Sequence, residues 1–480
     1  MVNYGFVIDQ RKCIGCHACT VACKSEHDVP VGVNRTHVKY IESGTYPNTS
    51  REFSVHRCNH CEDSPCTKIC PTSALYPRED GIVDFDDDRC IGCKSCMQAC
   101  PYDALYINPN TGTAAKCNYC AHRIEASYEP ACVVVCPVEA IVSGDLDDEN
   151  STISGYLRDH EVKVRKPESG ANPNLYYVQA SDAMLDPAAT DRTGTYLWTD
   201  QAAGVGHYAK YADQRLGAAD THSMIVQLAL EQKAKEANPR DRAIIRDVME
   251  RLEEQAQKPK RTYDQPSKGV LWGWEVSAYL TTKAIAAGTY VVMMLAMFAG
   301  VLEMTEALWW RLTATSIAFL GLTGVLLIKD LDRPDRFLYV LLRPNFSSWL
   351  VRGAVFLSGF GGILGLNVLI LLLGLDTGLM ETLAFAGVPL AALTGIYTAW
   401  LFKQAKGRAW SRDKWLTAKM SMETLAAGLA GTFVLTFDVA LIGAAEAMGL
   451  VQLALAAVIL WAVSVHGHHA VRGPQLETLH

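Results

Sequence analysis

Cys90-Ile91-Gly92-Cys93-Lys94-Ser95-Cys96-Met97-Gln98-Ala99-Cys100-Pro101 decides the first half of the fold. Its C-x2-C-x2-C-x3-C-P spacing is that of an iron–sulfur loop. Three thiolates on a tight turn cap three corners of a cubane, and the last, carried on a following helix, reaches the other cluster of a pair. Cys13-x2-Cys16-x2-Cys19-x3-Cys23 repeats the pattern. Two variants complete the set: Cys58-x2-Cys61-x4-Cys66-x3-Cys70-Pro71 and Cys117-x2-Cys120-x11-Cys132-x3-Cys136-Pro137. Zinc needs four thiolates closed into one tetrahedron and fits paired CxxC motifs better than triplets plus one. Met1-Val2-Asn3-Tyr4-Gly5 runs into the first group with no basic or apolar leader, so a secreted disulfide framework has little support. Four [4Fe-4S] clusters are the expectation.

All 16 cysteines lie between Cys13 and Cys136, so the 480-residue chain joins a cysteine-dense module to something cysteine-free. A hydrophobic content of 49% excludes a disordered chain and directs attention to membrane spans. A net charge of -7 gives no sign of nucleic-acid binding. Glu161-Val162-Lys163-Val164 and Leu175-Tyr176-Tyr177-Val178 alternate as strands that finish the first domain. Domain one is therefore set at 1–182, a linker at 183–268 and a membrane domain at 269–480. Within the linker, Asn238-Pro239 reads as a helix start. Ile244, Ile245, Val248, Met249 and Leu252 give that helix one apolar face, to about Gln257.

Six apolar stretches follow, near 276–301, 312–328, 351–374, 382–402, 420–440 and 449–465. Each has the length to cross about 30 Å of hydrocarbon. Cations crowd the loops on one side: Lys258, Lys260, Arg261 and Lys268, then Lys329, Arg333, Arg336, Arg343 and Arg352, then Lys403, Lys406, Arg408, Arg412, Lys414 and Lys419. The other side carries Arg311. The positive-inside rule then expects a multi-pass protein of the cell inner membrane with its cysteine module on the cytoplasmic side.

Residues 1 to about 180 resemble the four-cluster electron-transfer subunit of the dimethyl-sulfoxide-reductase/polysulfide-reductase family. The four cysteine groups carry the match, with Lys24-x-Glu26-x2-Val29-Pro30-Val31-Gly32-Val33 and Asn172-Pro173-Asn174-Leu175-Tyr176-Tyr177 beside them. The resemblance implies an α+β ferredoxin-like multi-cluster domain with clusters in two pseudo-symmetric pairs. It assigns Cys13, Cys16, Cys19 and Cys136 to one cluster, and Cys117, Cys120, Cys132 and Cys23 to its neighbour. Cys58, Cys61, Cys66 and Cys100 hold a third, and Cys90, Cys93, Cys96 and Cys70 the fourth. Some relatives replace the second cysteine of the third group and hold a three-iron cluster; Cys93 is present, so four cubanes are expected.

From about residue 270 the chain resembles the NrfD-like membrane anchor of polysulfide reductase, an all-α transmembrane helical bundle that exchanges electrons with quinone. Trp272-Gly273-Trp274, Asp330-Leu331-Asp332-Arg333-Pro334-Asp335-Arg336-Phe337, Arg343-Pro344-Asn345-Phe346-Ser347-Ser348-Trp349 and Gly353 carry this match. That family usually has eight or more spans, against six counted here. No histidine lies between His222 and His466, which excludes a bis-His haem within the spans.

Glu275, Tyr279 and Lys283 are four residues apart, on one stripe of the first span. An ionisable residue within a span is costly and marks a functional candidate. The stripe is a candidate quinone site, with Lys283 donating to a quinone oxygen or passing a proton. The structural alternative is an ion pair of Lys283 with a loop carboxylate such as Asp330 or Asp335, or snorkelling. Glu423 and Asp438 are further candidates, and the Asp/Arg-rich loop is expected to dock the iron–sulfur domain. The expected function is a non-catalytic electron-transfer and anchor subunit. It links a separate molybdopterin-type catalytic subunit to membrane quinone, in either direction of flow. The alternative is an ion-translocating subunit of a redox complex, hydrogenase-linked or alternative complex III-like.

Overall fold

Each cysteine group folds as a loop that runs into a short helix. In groups one and three the turn passes twice through left-handed backbone, at Gly15 (φ 68°) and His17 (φ 61°), and at Gly92 (φ 69°) and Lys94 (φ 58°). This winding aims successive N–H groups into a concavity suited to anionic sulfur, and Gly92 N donates to Cys90 Sγ at 3.5 Å. Helix α1 (Ala18–Glu26) carries Cys19 and Cys23. Helix α2 (Pro65–Ile69) carries Cys66 and is capped by Cys70, and α3 (Ser95–Ala99) carries Cys96 and is capped by Cys100. Helix α4 (Ala121–Glu125) starts at Cys120, and α5 (Ala131–Val134) carries Cys132.

The structure is a computed structural model that describes residues 2–45, 48–187, 190–192, 258–265, 268 and 271–440, with isolated positions between 233 and 248. Strands β1 (Tyr4–Asp9), β2 (His37–Thr45) and β3 (Asn48–His56) open the first module. The hairpins β4 (Leu75–Pro77) with β5 (Val83–Phe85), and β6 (Tyr106–Asn108) with β7 (Thr113–Ala115), brace the middle cysteine groups. Strands β8 (Ile141–Asp145), β9 (Val162–Lys163) and β10 (Leu175–Val178) close a sheet of order β8-β1-β10-β9, with β1 and β10 parallel. Both strands expected from alternation are thus present. Phe6, Ile8, Val38, Ile41, Val55, Leu175 and Tyr177 form the core between sheets and cysteine loops.

A second sheet has the order β11-β12-β2-β3, where β11 is Asp191–Arg192 and β12 is Lys260–Tyr263. Lys260 pairs with Glu42 and Tyr263 with Tyr40. Both ends of the stretch read as a linker therefore belong to the sheet of the first module. The short polar run Lys260–Tyr263 gave no apolar alternation to signal a strand. The amphipathic helix expected around 240–257 lies largely outside the described residues.

Among the described residues four helices are long and apolar enough to cross a membrane: Trp274–Phe298, Glu306–Lys329, Trp349–Leu372 and Gly378–Gln404. A fifth, Leu416–Ala440, covers the fifth expected span. The sixth, near 449–465, lies outside the described residues. The first span helix is the central one: 67% of its apolar window is buried inside the protein, against 28–33% for the other three candidates. Gly288 and Gly428 let it meet the fifth span helix backbone to backbone, since a Cβ on Gly288 would stand 2.1 Å from Thr424 O.

The Asp/Arg-rich loop after the second span helix grips the third cysteine group. Asp332 N donates to Gly92 O and Arg333 N to Ile91 O, each at 3.3 Å, and Lys94 Nζ pairs with Asp332 at 3.1 Å. Arg336 donates to Asp87 O at 2.6 Å and Cys90 O at 3.2 Å. Asn345 Nδ2 donates to Cys70 O at 2.8 Å, and Ser348 Oγ to Ile69 O at 2.7 Å. The loop after the fourth span helix closes on the same face, where a Cβ on Gly407 would fall 2.4 Å from Cys100 O. Gly407→Ala is therefore expected to push the halves apart and cost about 1–3 kcal/mol, the usual penalty for overpacking. A lowered unfolding temperature of the purified protein measures it; an unchanged one means the docking face yields.

Candidate cluster wire and buried lysine site

The structure brings together, from distant parts of the chain, the quartets that the resemblance implies. Cys13, Cys16, Cys19 and Cys136 line one small cavity. Cys70, Cys90, Cys93 and Cys96 line another. Cys58, Cys66 and Cys100 surround Cys61 closely enough for their charges to act on it, and Cys23 and Cys132 do the same for Cys117 and Cys120. Among the described residues no three His, Cys, Asp or Glu side chains converge on a single-ion site. Zinc would draw four sulfurs to about 2.3 Å from one point; sulfurs standing around a void suit a larger, polynuclear group.

Electrostatics supports the same fit. Burial pushes the thiols of Cys100 and Cys120 up to about 11, and those of Cys19 and Cys93 to about 12. Such thiols stay protonated at neutral pH unless bound metal supplies positive charge, and binding then displaces their protons. Donors are already in place. Ala140 N reaches Cys136 Sγ at 3.3 Å, Ala114 N reaches Cys90 Sγ at 3.3 Å, and Ala104 N reaches Cys100 Sγ at 3.5 Å. His27 Nε2 lies 3.1 Å from Cys120 Sγ, and burial lowers this imidazole to about 4, keeping it neutral. The Asn59 side-chain amide and His60 Nε2, both buried beside Cys58 and Cys61, have no hydrogen-bond partner among the described residues. Polar atoms orphaned around a cysteine loop are what a bound sulfide-rich group would satisfy.

The quartets form a line. Charge interactions link the quartets in sequence: Cys132 acts on Cys19, Cys58 on Cys117, Cys70 on Cys66 and Cys66 on Cys96. The first has its Cys16 exposed, with Ile14 and Val134 exposed on the same loops. The last lies under the docking loops of the membrane domain. There Trp272 Nε1 donates to Cys93 O at 3.1 Å. Its ring stacks on Phe402 (5.7 Å between centroids) and lies parallel to Trp410 (6.5 Å), and Tyr279 packs in the same cluster.

Below that aromatic group sits Lys283, 1% exposed. Its Nζ donates to Thr398 Oγ1 on the fourth span helix and stands 4.4 Å from the centroid of Tyr397 and 6.0 Å from that of Tyr279. Glu423, on the fifth span helix, is the acid whose charge acts on it. The loop-carboxylate alternative does not match this geometry. Among the described residues no ion pair joins Lys283 to Asp330 or Asp335; Asp335 pairs with Arg333 at 2.8 Å, and Lys283 bonds to Thr398. Nor does Lys283 snorkel, because it points across the bundle toward Thr398. The expected stripe divides: Glu275 pairs with Lys329 at 3.5 Å near the loop, away from Lys283. The side chain of Asp438 lies outside the described residues. Thr398 and Tyr397 were not among the sequence candidates; nothing in a threonine within an apolar span distinguishes it until the lysine is seen against it.

Family models match along the chain. Two described as 4Fe-4S dicluster domains cover residues 12–75 and 49–146, and one described as Polysulphide reductase, NrfD covers 263–480. A putative dimethyl sulfoxide reductase iron-sulfur subunit of Halobacterium salinarum is 38% identical over 250 residues, which are 46% of this chain and 93% of that protein. The chain belongs to this family of iron–sulfur subunits, here fused to an NrfD-type membrane domain. Two further members of the dimethyl-sulfoxide-reductase/polysulfide-reductase family show the same likeness. A polysulfide reductase polypeptide of Wolinella succinogenes is 42% identical over 37% of this chain and 94% of its own length. A tetrathionate reductase subunit of Salmonella typhimurium is 42% identical over 41% of this chain and 80% of its own. The family's cluster-bearing half and its anchor thus occur in one polypeptide, and its cysteine groups fall within the dicluster matches.

Proposed function

We propose that the chain is the electron-conducting and anchoring subunit of a quinone-linked oxidoreductase. It passes electrons along four [4Fe-4S] clusters between a separate molybdopterin catalytic subunit and membrane quinone. The observation that carries this reading is the hydrogen bond from Trp272 to the Cys93 carbonyl. It joins the last quartet to the aromatic group above Lys283 without an intervening gap.

The ligand sets are the four quartets given above. Bound clusters supply sites that each take up and pass on one electron. The protein's own groups do the rest. Sixteen thiolates hold the iron, backbone N–H groups stabilise their charge, and buried apolar residues keep water from the middle of the line. At the membrane end, oxidation of one quinol releases two electrons and two protons, and reduction of a quinone takes up the same. Lys283 Nζ, Thr398 Oγ1 and the Tyr279 hydroxyl are the groups placed to bind a quinone oxygen and hold or release a proton there. At the far end, exposed Cys16 with Ile14, Val21 and Val134 offers the docking face for the catalytic subunit.

The loop cations lie on the face that holds the cluster module, which by the positive-inside rule makes it the cytoplasmic side of the inner membrane. Anaerobically purified protein is expected to hold about sixteen irons per chain. Elemental analysis of the native complex tests both halves of the proposal. Iron with molybdenum or tungsten and a large partner supports it; iron without either metal removes the molybdopterin partner, and zinc in place of iron removes the clusters.

A further inference from the structure

Arg57 follows strand β3 and directly precedes Cys58. Its side chain is 1% exposed, and the guanidinium lies 4.7 Å from the centroid of the Phe6 ring. One nitrogen donates to Cys132 Sγ at 3.0 Å. That sulfur is the guanidinium's one hydrogen-bond partner among the described residues; Nε and Nη2 are buried with none. The sulfur charges that act on it belong to Cys132, Cys19 and Cys117. Cys19 lies in the first quartet, Cys117 and Cys132 in the second.

A cation withdrawn from water is costly to bury unless an anion compensates it. Lys116, equally buried, spreads its charge over the carbonyls of Val83 and Cys117. Arg57 instead directs its charge at sulfur. We infer that Arg57 is a potential-setting residue that raises the midpoint potential of the cluster held by Cys117, Cys120, Cys132 and Cys23. The physical reason is charge. Reduction adds one electron and no proton, so the more negative state gains more from a fixed positive charge at hydrogen-bond distance. Hydrogen bonds to the sulfurs and local net charge are established levers on such potentials. The two unpartnered nitrogens point to further bonds with sulfur of the same group, which only a fork of donors supplies.

This inference rests on the cluster assignment proposed above, and iron content separates the two. The experiment is an EPR-monitored redox titration of the purified full chain, with Arg57→Gln and Arg57→Lys beside the parent. Arg57→Gln removes the charge and keeps a polar group. It is expected to make one cluster at least tenfold harder to reduce, a drop of about 59 mV in its midpoint. The affected signal should be the one that Cys120→Ser alters. Arg57→Lys keeps the charge but not the fork, and is expected to shift the same midpoint in the same direction by less. A full complement of iron with no shift in Arg57→Gln overturns the inference while leaving the wire intact. If Arg57→Gln loses iron, Arg57→Lys decides: a smaller downward shift supports the inference, and an unmoved midpoint overturns it. Parent protein without about sixteen irons fails the cluster assignment itself.

Discussion

Cys96→Ala is expected to abolish quinol-driven reduction of the whole module while dithionite still reduces three clusters. Cys96 sits in helix α3, buried beside Cys90, Cys93 and Cys70, in the quartet pressed against the docking loops. Because charge interactions link the quartets in sequence and Trp272 donates to the Cys93 carbonyl, electrons from the membrane are expected to enter at this quartet. Iron should fall from about sixteen to about twelve per chain, as one cubane of four is lost. Stopped-flow reduction by a quinol analogue, compared with dithionite, reads the result. Quinol reduction surviving at the parent rate would mean that electrons enter elsewhere along the line.

Lys283→Met is expected to lower the quinol-linked rate by about 100-fold or more, the usual loss when a positioned proton-transfer group is removed. Methionine keeps most of the packing volume, so the bundle and all four clusters should remain. The lysine's surroundings explain the size of the effect. It is buried against Tyr279, Tyr397 and Thr398, and a methionine there has no group to donate a hydrogen bond or pass a proton. The variant also separates the proposal from the ion-translocating alternative. If quinol oxidation persists in proteoliposomes while charge movement stops, the lysine serves transport and the quinone site lies elsewhere.

The cysteine module was legible because its chemistry is local. Groups such as Cys90 to Cys100 carry their spacing in a dozen residues, and the glycines that let the loops wind are part of it. Which groups share a void is a tertiary fact, reached from sequence only through family resemblance. The first span's stripe was legible as a pattern but not as a site. Periodicity placed Glu275, Tyr279 and Lys283 on one face, yet their partners, Lys329 and Thr398, come from other helices. Asp335 failed as a partner for Lys283 because Arg333, two residues away, reaches it first. The role of Arg57 was invisible for the same reason: the sulfur it touches is 75 residues further along the chain.

Strand β12 has one more consequence. It is stitched into the cluster module by its pairing with β2, and ten residues separate it from the first span helix at Trp274. If the docking loops let go, the two halves stay on a short leash. Rebinding is then intramolecular, at an effective concentration in the millimolar range that dilution cannot lower. A two-chain version of the same junction would come apart as detergent and volume increase. Here the ratio of wire to anchor is fixed at one, and the electron path re-forms without a search.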